Sequence, residues 1–321
     1  MTKALVTGGE GFLGARVVAE LQARGLDVVW TSQGETSADG AVSVDLREPG
    51  ALRQHLSGVD VVAHLAARAG GRRFQEMNDP SVFWDNRSMT DNVLRDAAAG
   101  GVRRVFLASS TVVYAPGPAR PHLESDRLLG SEDRPSPYAW SKITDELVAR
   151  WTAHFESGLE TVVGRFTNIF GPGGPADEET GTVVHSLLRK ALAAADDGAD
   201  GFEVWGDPGI VRSFIFVTDA ARAVATLLLE EGAGGVYNVD TGIPTTIGQL
   251  AGEIARQVDP KLEPKTVSTG SEGVPYRVTD PERLFALGFS PEISLADGIG
   301  RCVAQARRAT DQAGGSRPSN R

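Results

Sequence analysis

Residues 3–14, Lys3-Ala-Leu-Val-Thr-Gly-Gly-Glu-Gly-Phe-Leu-Gly14, decide the fold. Ala4, Leu5 and Val6 make a short apolar run with strand character, and an amphipathic run follows from Phe12 to Leu21. Between them Gly8, Gly11 and Gly14 form G-x-x-G-x-x-G. Glycines permit a tight turn, let backbone N–H groups approach a pyrophosphate and allow close helix–strand packing. The helix start then faces the phosphates with its positive dipole end. Strand, glycine turn and helix in that order predict a dinucleotide site. The bland alternative is a glycine-rich turn in a core strand–helix unit.

Outward from that unit the chain alternates. Strands are predicted at 3–7, 27–31, 41–44, 59–65, 104–108 and 160–165, with helices at 12–24, 50–56, 80–99 and 137–156 between them. Such alternation means an α/β fold with a doubly wound parallel Rossmann sheet. Ligands sit outside the carboxyl ends of such strands, where Gly8–Gly14, Ala66, Ala67, Ser109 and Ser110 fall. Gly171-Pro-Gly-Gly-Pro175 punctuates the chain, and a helical run follows over 182–195. The division expected is a dinucleotide-binding domain over 1–170, also receiving segments from about 205–245, and a smaller, interleaved α/β substrate lobe over 171–308. Residues 309–321 read as a disordered tail.

The composition is that of a globular protein, 41% hydrophobic and 23% charged. A net charge of −10 argues against nucleic-acid or anionic-membrane partners. Cys302 is the only cysteine, so no internal disulfide forms, which fits a cytoplasmic protein. No apolar run reaches membrane-spanning length, and Met1-Thr2 passes directly into a strand without a signal peptide. His55, His64, His122, His154 and His185 show no metal-ligand spacing, so no metal is expected.

Chemistry enters at Tyr138-Ala-Trp-Ser-Lys142. A tyrosine and a lysine at i and i+4 share one helix face. An ammonium beside a phenol favours phenolate and lowers the tyrosine pKa from about 10 toward neutrality. Tyr138 then becomes a proton shuttle for alcohol–ketone interconversion, with Ser110 upstream as its partner. The spacing alone also occurs on solvated helix faces.

Taken together, Thr7-Gly-Gly-Glu-Gly-Phe-Leu-Gly14, Ser110 and Tyr138/Lys142 resemble the extended short-chain dehydrogenase/reductases that act on nucleotide sugars. The resemblance runs over about 1–305 and includes Asp45-Leu46, His64-Leu-Ala-Ala67, Asn86, Arg165-Phe-Thr-Asn-Ile-Phe-Gly-Pro172 and Tyr237-Asn-Val-Asp-Thr-Gly242. Within that family His64–Gly71, Phe83-Trp84, Met89–Leu94, Val204-Trp-Gly206, Arg212-Ser-Phe214 and Ile293-Ser-Leu295 look most like the GDP-L-fucose synthases. The resemblance implies roles. Ser110, Tyr138 and Lys142 would be catalytic. Gly8, Gly11, Phe12, Leu13, Gly14, Asp45, Leu46, Leu65, Ala66, Ala67, Asn86 and Ser109 would line the cofactor together with Tyr138 and Lys142. Ser110, Thr111, Asn168, Thr182, Trp205, Arg212 and Arg277 would meet a nucleotide-diphosphate sugar, the two arginines at its phosphates. Helices near 80–99 and 137–156 would form a homodimer interface, a two-fold contact being the commonest in soluble oligomers.

Departures from the pattern narrow the chemistry. The epimerising cysteine of the synthases is Val112 here, and their lobe-helix histidine aligns with Thr182, leaving His185 one turn away as an open substitute. The Asp-Glu pair of 4,6-dehydratases is Thr111-Val112. The Arg-x-Gly-Asp/Glu stretch of UDP-glucose 4-epimerases reads Gly270-Ser-Glu-Gly273. What remains suits hydride transfer at one sugar carbon, C4. The reading is a 4-ketoreductase of a GDP-linked or unusual nucleotide sugar; a 4-epimerase with retained NAD is the alternative. A non-catalytic dinucleotide-binding regulator is the reading from another class, but such proteins often lose the tyrosine or lysine. The second strand ends Trp30-Thr-Ser-Gln33 without the acid usual for NAD, yet Glu10 in the glycine loop would repel a 2′-phosphate. The balance favours NAD over NADP.

Overall fold

Strands apolar on both faces need helices on both sides. A computed structural model of the chain describes residues 1–34, 40–77, 79–117, 119–133, 135–156, 158–177, 181–268 and 274–314. The first half runs β1 (Lys3–Thr7), α1 (Gly14–Ala23), β2 (Asp27–Ser32), β3 (Ala41–Ser43), β4 (Val61–His64), α2 (Arg72–Glu76), α3 (Pro80–Ala99), β5 (Arg104–Ser110), α4 (Pro137–Phe155) and β6 (Glu160–Phe166). It continues with β7 (Asn168–Phe170), α5 (Val183–Asp196), β8 (Gly201–Trp205), β9 (Val211–Arg212), β10 (Phe214–Phe216), α6 (Val217–Leu229) and β11 (Gly235–Val239). The remaining elements are β12 (Thr245–Thr246), α7 (Ile247–Val258), β13 (Glu263–Val267), β14 (Tyr276–Arg277), α8 (Glu282–Phe285) and α9 (Leu295–Gly314).

Seven parallel strands form one sheet in the order β11-β6-β5-β4-β1-β2-β3. The chain winds outward in one direction through β2 and β3, then returns to β4 and winds the other way. The switch point therefore lies between β1 and β4. Alternation inside each strand divides the side chains. Ala4, Val6, Val61, Ala63 and Phe106 pack with Val17 and Leu21 of α1 and with α6. Leu5, Val62, Val105 and Leu107 face the other way, onto Val93, Leu94 and Ala97 of α3 and Ala149 of α4. A further core joins Phe170, Phe214 and Phe216 to α5, α7 and α9. Around it lie the parallel pairs β7–β10 and β8–β13, and the three strands β12-β9-β14.

Local chemistry explains the helix starts. Pro80 and Pro137 open α3 and α4, and the Asp79 and Ser136 side chains accept the Ser81 and Ala139 N–H groups. Two expectations need correction. The helix at 50–56 is only a single 3₁₀ turn, Arg53–His55, because the stretch opens on Gly50 with φ +78°. The tail does not begin at 309, since α9 continues to Gly314; 315–321 lie outside the described residues, as do 270–273.

Candidate active site

The switch point brings the glycine turn against the loop after β4. Gly8 has φ +69°, and a Cβ there would sit 3.0 Å from the Ala66 Cα. A Cβ at Gly14 would lie 2.0 Å from the Gly8 carbonyl oxygen. Gly11 N–H closes the turn by donating to the Gly8 carbonyl at 3.0 Å. Main chain itself forms this cradle, which is what a pyrophosphate needs. Phe12 stands edge-on to His185, 5.8 Å between centroids, and Leu13 packs against both the sheet core and the lobe core.

The loop after β4 is fixed from beneath. Thr7 Oγ1 accepts the N–H groups of Leu65 (3.1 Å) and Ala66 (3.2 Å), so its own proton goes to His64 Nδ1 at 2.8 Å. His64 Nε2–H then donates to Thr90 Oγ1 at 3.3 Å. Burial, reinforced by the Lys142 charge, pushes this imidazole down to about 3. Ala67 follows in the same loop. The Asn86 amide is spent on Arg68, accepting its N–H at 2.7 Å and donating to its carbonyl at 3.0 Å, with Ser141 Oγ at 3.3 Å. Asn86 thus fixes the backbone at Arg68. Near the end of β3, Asp45 receives Arg47 N–H at 3.0 Å and Nη2 at 2.7 Å, and these bonds hold its carboxyl at about 2. Leu46 is buried in the sheet core.

Ser110 ends β5, accepts Val112 N–H at 3.3 Å and hydrogen-bonds the Tyr138 phenol. Thr111 is buried at the start of the 3₁₀ turn Thr111–Val113. Ser109 points the other way and donates to Glu146 at 2.5 Å. Tyr138 occupies the first turn of α4 beside Phe74, Val82 and Pro137, and the Lys142 Nζ lies 5.9 Å from its ring centroid. The expected lowering of the Tyr138 pKa is overturned. Tyr138 is partly exposed yet densely surrounded by protein atoms, and that desolvation pushes the phenol up to about 12 against the Ser110 bond that lowers it. Burial also lowers the Lys142 pKa.

The lobe residues fall into two groups. Arg277 pairs in register with Arg212 across β14 and β9, so the two side chains share one face of the small sheet. Arg277 is pushed down to about 10 by desolvation, and among the described residues no carboxylate pairs with it. Asn168 donates to the Ser213 carbonyl at 2.9 Å. The other two are committed elsewhere. Trp205 is 59% exposed on β8, its Nε1–H donating to Glu203 at 2.8 Å and the Lys190 ammonium 3.6 Å over its ring. Thr182 Oγ1 bonds His185 Nδ1 at 2.8 Å, while His185 Nε2 bonds the Gly171 carbonyl at 2.8 Å. Nε2 must donate to that carbonyl, so in the neutral imidazole Nδ1 accepts from Thr182, and both nitrogens are engaged. Burial lowers the His185 pKa against the Gly171 bond that raises it.

The sequence reading of Glu10 gains a partner, while the roles of Glu146 and Asp145 went unread. Glu10 accepts the Ser32 hydroxyl at 2.7 Å, which sets a carboxylate at the carboxyl end of β2. Glu146 pairs with Arg165 in the interior. Asp145 lies 3.8 Å from Lys142. Positions three and four residues after Lys142 were the available signal, since they share its helix face.

A family model described as the NAD dependent epimerase/dehydratase family matches residues 4–240. GDP-mannose 3,5-epimerase 1 of Oryza sativa subsp. japonica is 30% identical, covering 92% of this chain and 79% of that protein. A dTDP-4-dehydro-6-deoxy-D-allose reductase of a Streptomyces species is also 30% identical, covering 90% and 91%. GDP-L-fucose synthase 1 of Arabidopsis thaliana is 27% identical over 92% of this chain and 90% of its own. Among solved structures, the Thermus thermophilus UDP-glucose 4-epimerase in complex with NAD has a TM-score of 0.80 at 27% identity, covering 96% of this chain and all of that one. The switch-point cradle, the Ser110–Tyr138–Lys142 cluster and these likenesses agree: the chain belongs to the NAD-dependent epimerase/dehydratase family, the extended short-chain dehydrogenase/reductases, as an enzyme of their nucleotide-sugar epimerase and reductase type.

Proposed function

We propose that this enzyme is a 4-ketoreductase of a nucleoside-diphosphate 4-keto sugar, GDP-linked or unusual, with NAD(H) as its dinucleotide. One observation carries the reading: Ser110 and Tyr138 meet beside Lys142, while Val112 cannot titrate and Thr182 and His185 are engaged with each other and with the Gly171 carbonyl. When bound in the Gly8–Gly14 cradle, the dinucleotide supplies hydride chemistry. Protein groups do the rest. The Tyr138 phenol gives its proton to the ketone oxygen, Ser110 donates a hydrogen bond to the same oxygen, and the Lys142 ammonium stabilises the phenolate left behind. A phenol pushed up to about 12 is protonated at neutral pH, as a proton donor for ketone reduction must be. Arg212 and Arg277 supply two cations on one sheet face for the diphosphate.

Glu10 supports NAD over NADP. Its carboxylate, held by Ser32 at the carboxyl end of β2, would repel a 2′-phosphate bound beside it. The division into 1–170 and 171–308 belongs to this proposal, as does a homodimer through α3 and α4. Trp84, Trp151 and Phe155 are 65%, 53% and 77% exposed on those two helices. Light scattering reads the mass directly. Among the described residues no helix is long and apolar enough to cross a membrane.

NADH with GDP-4-keto-6-deoxymannose tests the reading. One NADH oxidised per sugar reduced supports a reductase. The second reading, a 4-epimerase with retained NAD, is favoured by the likeness to the NAD-bound 4-epimerase structure. It requires NAD to co-purify with the protein and isomer to form with no net change in cofactor.

A further inference from the structure

Asp145 is a buried acid that the chemistry above does not use. It lies on α4 three residues after Lys142, with 4% of its surface accessible. Its Oδ2 is 3.8 Å from Lys142 Nζ, and its Oδ1 is 3.6 Å from Arg87 Nη1 of α3. Neither Asp145 oxygen nor that Arg87 nitrogen has a hydrogen-bond partner of normal geometry, although the Thr90 hydroxyl lies beside the carboxylate. A carboxylate so placed is costly unless its charge is used. Among the described residues, the other charged groups nearby have partners of their own. Arg87 also pairs with Asp91 on α3, Glu146 is bound by Arg165, and His64 of β4 is neutral. Without Asp145, Arg87 and Lys142 would be two cations packed between α3 and α4 with no shared counter-charge.

We propose that Asp145 is a positioning residue, the counter-ion that Lys142 shares with Arg87 and that keeps the lysine of the Tyr138–Lys142 pair cationic. This rests on Lys142 acting in the reaction as proposed above. The directions agree: burial lowers the Lys142 pKa while Asp145 and then Glu146 raise it, and burial lifts Asp145 itself to about 6 against the pull of Lys142 and Arg87. Removing the carboxylate lowers the Lys142 pKa and, through loss of a nearby negative charge, the Tyr138 pKa as well. Removing Arg87 leaves the carboxylate to Lys142 alone and raises the lysine pKa. Opposite signs from two neighbours in one cluster separate an electrostatic role from loss of packing.

The chain has only five lysines, Lys3, Lys142, Lys190, Lys261 and Lys265, so ε-¹³C-lysine NMR of the full chain resolves the titration of Lys142. Asp145→Asn should move the Lys142 midpoint down by about 1–3 units, and Arg87→Met should move it up. The alkaline limb of the pH–turnover profile should follow in each case, with KM for NADH unchanged. A Lys142 midpoint that stays put in Asp145→Asn, or moves the same way in both variants, overturns the proposal. So does a midpoint that moves while the alkaline limb does not. Failure of the catalytic reading itself would appear separately, as full turnover by Tyr138→Phe.

Discussion

Removing one side of the Glu146–Arg165 pair should cost more than removing both. Arg165 is the penultimate residue of β6 with its side chain 4% exposed, and Glu146 lies one turn beyond Lys142 at 7%. Arg165 donates Nε to Oε1 at 2.9 Å and Nη2 to Oε2 at 2.6 Å, while Nη1 reaches the Tyr114 hydroxyl at 2.9 Å and the Glu124 carbonyl at 3.0 Å. Arg165→Met leaves Glu146 a buried carboxylate with Ser109 as its remaining donor. Breaking a buried pair from one side costs about 3–5 kcal/mol, a large part of a total stability of about 5–15 kcal/mol. Glu146→Leu combined with Arg165→Met removes both charges, and Tyr114 keeps its 2.6 Å bond to Asn238. The double variant should therefore recover about half or more of the loss, since apolar replacement of a buried pair is often neutral. Urea unfolding followed by tryptophan fluorescence and circular dichroism, with coincident curves required, measures all three. An Arg165→Met variant within about 1 kcal/mol of wild type, or two losses that simply add, would refute the reasoning.

Three further outcomes follow from the same geometry. Glu10→Arg replaces the carboxylate held by Ser32 with a cation, and should shift the NADH/NADPH affinity ratio at least about tenfold toward NADPH, read by quenching of protein fluorescence. Arg277→Met should raise KM for the nucleotide sugar roughly 10- to 100-fold, the worth of one charged hydrogen bond, with little change in kcat; an unchanged KM would remove Arg277 from the phosphate site. His64 has a folded pKa of about 3, below its unfolded value, so the stability it brings is present above about pH 6.5 and is lost as pH falls toward 3. The stability difference between wild type and His64→Gln should accordingly shrink by about 2 kcal/mol between pH 7 and pH 5, measured by urea unfolding at each pH.

Local signals carried most of the fold. β1, the glycine turn, α3 and the start of α4 were legible because proline, capping side chains and strand alternation all act within a few residues. Position 50 shows the limit of that reading, since an apolar spacing that suits a helix gave way to a glycine at positive φ. The small sheets were less legible. Pairing of β8 with β13, or of β14 with β9, depends on contacts between distant segments that periodicity cannot register.

At the site, residue types and spacing brought out Ser110, Tyr138 and Lys142, but not their energetics. The direction of the Tyr138 shift depends on how many protein atoms surround the phenol, which i and i+4 spacing does not contain. Thr182 and His185 looked like one open position and turned out to satisfy each other and the Gly171 carbonyl. Asp145 was visible as an acid near a lysine, yet only packing against Arg87 shows that both its oxygens are enclosed.

Deuterium transfer tests the central claim most directly. Incubation with NADH deuterated at the transferred position and GDP-4-keto-6-deoxymannose should give a sugar carrying one deuterium at C4 and one NAD per product. Tyr138→Phe should slow that transfer about 100-fold or more, the usual worth of a positioned acid. Reduced sugar without deuterium, or Tyr138→Phe transferring at the wild-type rate, would contradict the account.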